Sequence, residues 1–168
     1  VFISFLEDFW AERFFSNEYC SKDPAVAGAA EYAQEVHRAG AHLVYLTGRD
    51  AARMELGTIE SLERVGAPWG DSRTELMMKP DPKIPDHDFK AQALPELRKI
   101  GVLVGMLDNE PANIDAYKQF APYGIGIFLN TNRADMTKLP KSKVAIINSF
   151  EDCGEILGAS PKKRIDYL

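Results

Sequence analysis

The sequence predicts an α/β fold with a mainly parallel sheet covered by helices on both faces. Short apolar runs alternate with segments of helical periodicity, the signature of βαβ units. The alternation runs on without internal repeat, low-complexity tract or any linker long enough to separate two domains. With 168 residues, 45% of them hydrophobic and 27% charged, the chain suits one domain with a full-sized core. We therefore expect residues 1–168 to form a single domain, with 1–24 as an N-terminal helical region and 158–168 as an exposed tail.

Phe5 to Tyr19 carries Phe5, Phe9, Trp10, Phe14 and Phe15 at near-helical spacing, so it reads as an amphipathic helix with its aromatic stripe in the core. Asp23-Pro24 reads as the start of a second helix, with Asp23 as N-cap, ending near Arg38 before Gly40. His42–Leu46 is a buried strand ending in Thr47-Gly48-Arg49-Asp50. A helix from Ala51 to Val65 stops at Gly66, and Glu75–Met78 is the next strand. Lys79 to Asp88 is a loop rich in Pro and Asp. Phe89–Lys99 is helical, with Pro95 as a potential kink. Val102–Leu107 is a strand ending in Asp108-Asn109-Glu110, followed by a short helix over Ile114–Phe120. Ile125–Leu129 and Val144–Ile147 complete the strands.

Lys plus Arg number 20 against 25 Asp plus Glu, a net charge of −5. An acidic balance disfavours nucleic acid and anionic membranes, although a local basic groove stays compatible with it. No run approaches the roughly 20 apolar residues that span a bilayer, and no basic-then-apolar leader opens the sequence. Cys20 and Cys153 are far apart and in no metal-ligand spacing, so reduced thiols and a cytoplasmic setting are the expectation. His37, His42 and His87 share no ligand spacing.

Open parallel sheets bind ligands beyond the carboxyl ends of their strands. Two strand ends here are chemically equipped: Thr47-Gly48-Arg49 and Asp108-Asn109-Glu110. Lys90 lies between them in sequence, near the start of a helix. A hydroxyl and a lysine bind phosphoryl oxygens, and a carboxylate holds a hard cation. Each group also has a plain structural role open to it. Thr47 can cap the next helix, Arg49 can ion-pair, Lys90 can be a solvated helix lysine and Asp108 an N-cap. Lys79 can bind substrate or simply sit at the surface. Asp81, Asp86 and Asp88 read as turn residues, with Asp86 able to orient Lys90.

Val44-Tyr45-Leu46-Thr47-Gly48-Arg49-Asp50 resembles the second motif of haloacid-dehalogenase-superfamily hydrolases, an apolar strand ending in Thr or Ser. Lys90 resembles the third motif, a lone lysine. Gly105-Met106-Leu107-Asp108-Asn109-Glu110 resembles the fourth, an apolar strand ending in metal-binding acids. The order and spacing agree over Ala25 to Leu129. Leu76-Met77-Met78-Lys79, with Asp86 and Lys90, is further similar to the phosphatase domain of polynucleotide kinase-phosphatases and related acid phosphatases.

The resemblance implies a three-layer α/β/α Rossmann-like fold and a magnesium-dependent phosphomonoester phosphatase working through an aspartyl-phosphate. Thr47 and Lys90 would be catalytic. Thr47, Gly48, Arg49, Lys79 and Lys90 would bind the phosphorylated substrate, whose size stays open. Asp108 and Asn109 would hold Mg2+, with Glu110 or Asn113 as alternative helpers. The gaps between motifs are short, which implies little or no cap. It also implies that Thr47 and Asp108 leave one sheet edge within about 10 Å of each other, the reach of one hydrated phosphate-metal cluster.

The family's first motif, Asp-x-Asp-x-Thr after a strand, is not in the sequence. Val1-Phe2-Ile3 resembles the end of such a strand, but Ser4-Phe5-Leu6-Glu7-Asp8 follows. The expectation is that the nucleophile segment is missing at this point, between Ile3 and Ser4 or by truncation. The alternative is a non-catalytic binding or scaffold module that has lost it. A dinucleotide-binding Rossmann domain is a weaker third reading, because no Gly-x-Gly-x-x-Gly follows the first strand.

Overall fold

The computed structural model describes residues 9, 13–131, 137–151 and 155–156. The chain forms two compact units, residues 1–89 and 90–168. Both are α/β with parallel strand pairs. The sequence reading placed the strands in one sheet, whereas they pair as a two-stranded and a four-stranded sheet among the described residues. The first strand of the resemblance, over Val1–Ile3, and the expected break between Ile3 and Ser4 lie outside the described residues. So does most of the expected aromatic helix, with Trp10 and Asp8, and so do Cys153 and the 158–168 tail.

In the first unit, helix α1 spans Asn17–Cys20 and helix α2 spans Ala29–Arg38. Strand β1 spans Leu43–Asp50, helix α3 Ala51–Arg64 and strand β2 Thr74–Lys79. The second helix begins later than expected. Its N-cap is Gly28 at φ 75°, a left-handed conformation that glycine adopts freely, and not Asp23. Asp23 is committed elsewhere, as an ion-pair partner of Arg49. The helix ends as read from the sequence, before Gly40 at φ 99°.

α3 starts sharply because Asp50 caps it. The buried Asp50 carboxylate accepts from Arg53 N at 3.2 Å and also binds the Arg53 guanidinium. α1 packs on α3 at Gly57. A Cβ there would lie 2.1 Å from the Asn17 carbonyl oxygen, so only glycine permits the approach. The contact is fastened by Gly57 N donating to Asn17 Oδ1 at 2.8 Å.

β1 and β2 run parallel, with Leu43 opposite Thr74 and Leu46 opposite Met77. The register then shifts, and Asp50 faces Lys79. The irregularity therefore falls on Thr47-Gly48-Arg49. Bulges of this kind re-aim side chains and are common beside functional sites.

Helix α4 spans Asp86–Ile100, longer than expected, with Pro95 inside it. In the second unit follow strand β3 (Gly105–Asp108), helix α5 (Pro111–Phe120), strand β4 (Ile125–Leu129), strand β5 (Ala145–Ile147) and strand β6 (Glu155–Ile156). β3, β4 and β5 pair in parallel, and β6 adds antiparallel to β5. β3 is shorter than the apolar run suggested, because Val102 and Val104 precede the ladder and are exposed. α5 starts earlier than expected, since Glu110 and Pro111 supply N-cap and N1. Ile114, Phe128 and Val144 form the core here, with Ile146 packed against them. The 137–142 segment is held by Asp115, which accepts from Lys141 N at 3.0 Å and Ser142 N at 2.8 Å.

Candidate functional site

The sequence-derived residues divide between the units. Thr47, Gly48, Arg49 and Lys79 belong to the first, and Lys90, Asp108 and Asn109 to the second.

In the first unit the Thr47 hydroxyl accepts from Arg49 N at 3.3 Å, closing a short turn at the end of β1. Thr47 is not the cap of α3; Asp50 takes that part. The Arg49 guanidinium pairs with Asp23 and donates to Thr58 Oγ1 at 3.1 Å. The ion-pairing role open to it from sequence is thus realised. Cys20 is buried beside this group, and burial pushes its thiol above the ordinary value, so it stays protonated at neutral pH.

Lys79 ends β2 as a buried residue, unlike a surface lysine. Its Nζ donates to Asp86 Oδ1 at 2.7 Å, Ile84 O at 3.0 Å and Pro82 O at 3.4 Å. Burial of an ammonium requires this kind of compensation. Asp86 is therefore the partner of Lys79, where the sequence suggested a turn residue that orients Lys90. Its carboxylate also fills the space a side chain would need at Gly48, with Oδ2 2.2 Å from an ideal Cβ. Asp81 is a turn residue as expected, accepting from Lys83 N at 2.8 Å.

In the second unit Asp108 ends β3 with its side chain 4% exposed, and Lys90 of α4 is 15% exposed. Lys90 Nζ donates to Asp108 Oδ2 at 2.6 Å, and Asn113 Nδ2 donates to the same oxygen at 3.1 Å. Asp108 Oδ1 accepts from Glu110 N at 2.8 Å. The carboxylate thus meets one charged and two neutral donors at the start of α5, where the helix N-terminus also favours negative charge. Asn109 follows at the strand end, and Asn113 is buried on α5.

Mg2+ takes one or two protein carboxylates and fills its octahedron with water and phosphate oxygens. Asp108, with Asn109 beside it, fits that pattern. Among the described residues no group of three or more His, Cys, Asp or Glu forms a closed metal cage. His37 lies against Asp71 and His42 against Glu75, apart from one another in role.

Sequence reasoning missed Asp86 as the counter-ion of Lys79, because the two lie seven positions apart across a loop and no periodicity links them. It also missed Asp50, where an Asp directly before a helix start was a readable capping signal.

Among the described residues no helix is long and apolar enough to cross a membrane. No family model, curated protein or solved structure matches the chain.

Proposed function

We propose that this chain is the core of a magnesium-dependent phosphohydrolase of the haloacid-dehalogenase type, with a three-layer fold and little or no cap. The observation that carries the reading is the Lys90–Asp108 pair. A lysine and a carboxylate, both largely buried, meet at the carboxyl end of a parallel strand, with the carboxylate at a helix N-terminus. The irregular Thr47-Gly48-Arg49 segment at the end of another parallel strand supports it.

In this reading Thr47 binds a phosphoryl oxygen, with Gly48 next to it in the same segment. Arg49 stiffens the turn through Asp23 and Thr58. Lys90 neutralises charge that develops on the transferred phosphoryl group, and its hydrogen bond orients Asp108. Asp108 and Asn109 would hold Mg2+, which supplies charge neutralisation when bound. The nucleophilic Asp would come from a segment not contained in these residues. It would take the phosphoryl group as an acyl phosphate, which water then hydrolyses. A cytoplasmic phosphorylated metabolite or end group is the proposed substrate class.

A second reading, a scaffold that kept the fold without the chemistry, is favoured by the lack of any Asp-x-Asp-x-Thr in the sequence. Turnover of p-nitrophenyl phosphate by the complete gene product separates the two. The first reading expects magnesium-dependent hydrolysis that Asp108→Asn abolishes while the fold stays intact. Absence of hydrolysis across several phosphomonoesters, or full activity in that variant, would favour the scaffold.

A further inference from the structure

We infer that Asp86 is a positioning residue for the Thr47-Gly48-Arg49 turn, and that Lys79 is its counter-charge and not a substrate ligand. The inference rests on the phosphate-binding role proposed for that turn. Three observations converge on it. The register of β1 against β2 breaks after Leu46, so the ladder alone does not fix Thr47 to Arg49. The Asp86 carboxylate occupies the space beside the Gly48 α-carbon, with both oxygens and Cγ within 2.8 Å of an ideal Cβ. Lys79, 10% exposed, spends its Nζ donors on Asp86 and on the carbonyls of Pro82 and Ile84. The ammonium is thereby used up within the loop that follows β2.

The physical consequence is a wedge. Asp86 packs beside Gly48 where the β1–β2 register is broken, and Lys79 holds Asp86 in place. Lys79 also cancels a negative charge that would otherwise face a bound anion. A side chain at position 48 would displace the Asp86 carboxylate from its place. Asp86 is 64% exposed, so the ion pair is screened on one side.

The test compares wild type with Asp86→Asn, Asp86→Glu, Lys79→Met and the Lys79→Met/Asp86→Asn double variant. Amide hydrogen exchange reads the turn, and inorganic phosphate binding in the presence of Mg2+ reads the site. Asp86→Asn should speed exchange at residues 48–50 about tenfold and leave the β3 and β4 amides unchanged. Asp86→Glu should fall between Asp86→Asn and wild type. Lys79→Met should weaken phosphate binding about tenfold, because it leaves the Asp86 charge facing the anion. The double variant should recover most of that loss. If Lys79 touches phosphate directly, the double variant binds no better than Lys79→Met, and the inference falls. Unchanged exchange in Asp86→Asn overturns it as well. Faster exchange in Asp86→Asn, alongside a wild type that binds no phosphate, upholds the wedge and removes only the phosphohydrolase reading.

Discussion

Replacing Lys90 by Met keeps most of the side chain's length and removes its charge. Glu110 N and Asn113 Nδ2 remain as neutral donors to Asp108. Its side chain is 4% exposed, so water compensates little for the lost ammonium. Breaking one partner of a buried pair costs about 3–5 kcal/mol. The two surviving hydrogen bonds place Lys90→Met at the lower end, about 3 kcal/mol. At about 2–4 °C per kcal/mol for a chain of this size, the melting temperature should fall by roughly 6–12 °C. Urea unfolding followed by far-ultraviolet circular dichroism measures the loss directly. A double-mutant cycle with Asp108→Asn should return a coupling of about 2 kcal/mol, above the less than about 1 kcal/mol of an exposed pair. Coupling under about 0.5 kcal/mol would mean that the two charges do not depend on each other, and the argument from burial would fail.

Gly57→Ala in α3 should destabilise by about 1–3 kcal/mol in urea unfolding, since the new methyl meets the Asn17 backbone. At an ordinary exposed helix glycine the same change stabilises by about 0.4–1 kcal/mol, so the sign is diagnostic. Asp50→Ala should cost about 1–2 kcal/mol through loss of the α3 cap. Hydrogen bonding from the Arg53 side chain, more than its charge, holds the Asp50 carboxyl below the usual carboxylate range. A depressed acid stabilises above its unfolded value of about 3.9, and the contribution is lost as pH falls through the lower folded value. The stability difference between wild type and Asp50→Ala should therefore hold near neutral pH and shrink below about pH 4. A difference that grows on acidification would contradict the ion-pair geometry.

The sequence made the strand ends legible because apolar runs stop abruptly at polar residues. β2, β4 and β5 lie within a residue of the predicted runs and Asp108 ends β3, whereas β1 continues past Leu46 through Thr47-Gly48-Arg49 to Asp50. Element starts were harder to read. Asp23 and Pro24 have the chemistry of a helix start, but Asp23 pairs with Arg49, which lies 26 residues away. Such a long-range ion pair overrides a local capping preference and leaves no local trace. The Val102–Val104 run reads as strand interior by composition, yet Val102 and Val104 are exposed before the ladder begins. Apolar composition alone does not say where pairing starts. In the site, the Lys90–Asp108 contact follows from motif order. The Lys79–Asp86–Gly48 contact depends on how a proline-rich loop folds back, which periodicity does not encode.

Calorimetric titration of inorganic phosphate into the protein, with and without Mg2+, tests the central claim most directly. The account predicts phosphate binding that strengthens at least tenfold with Mg2+ and loses that enhancement in Asp108→Asn. Binding indifferent to Mg2+, or an enhancement that survives in Asp108→Asn, would contradict the assignment of Asp108 as the carboxylate of a magnesium–phosphate site.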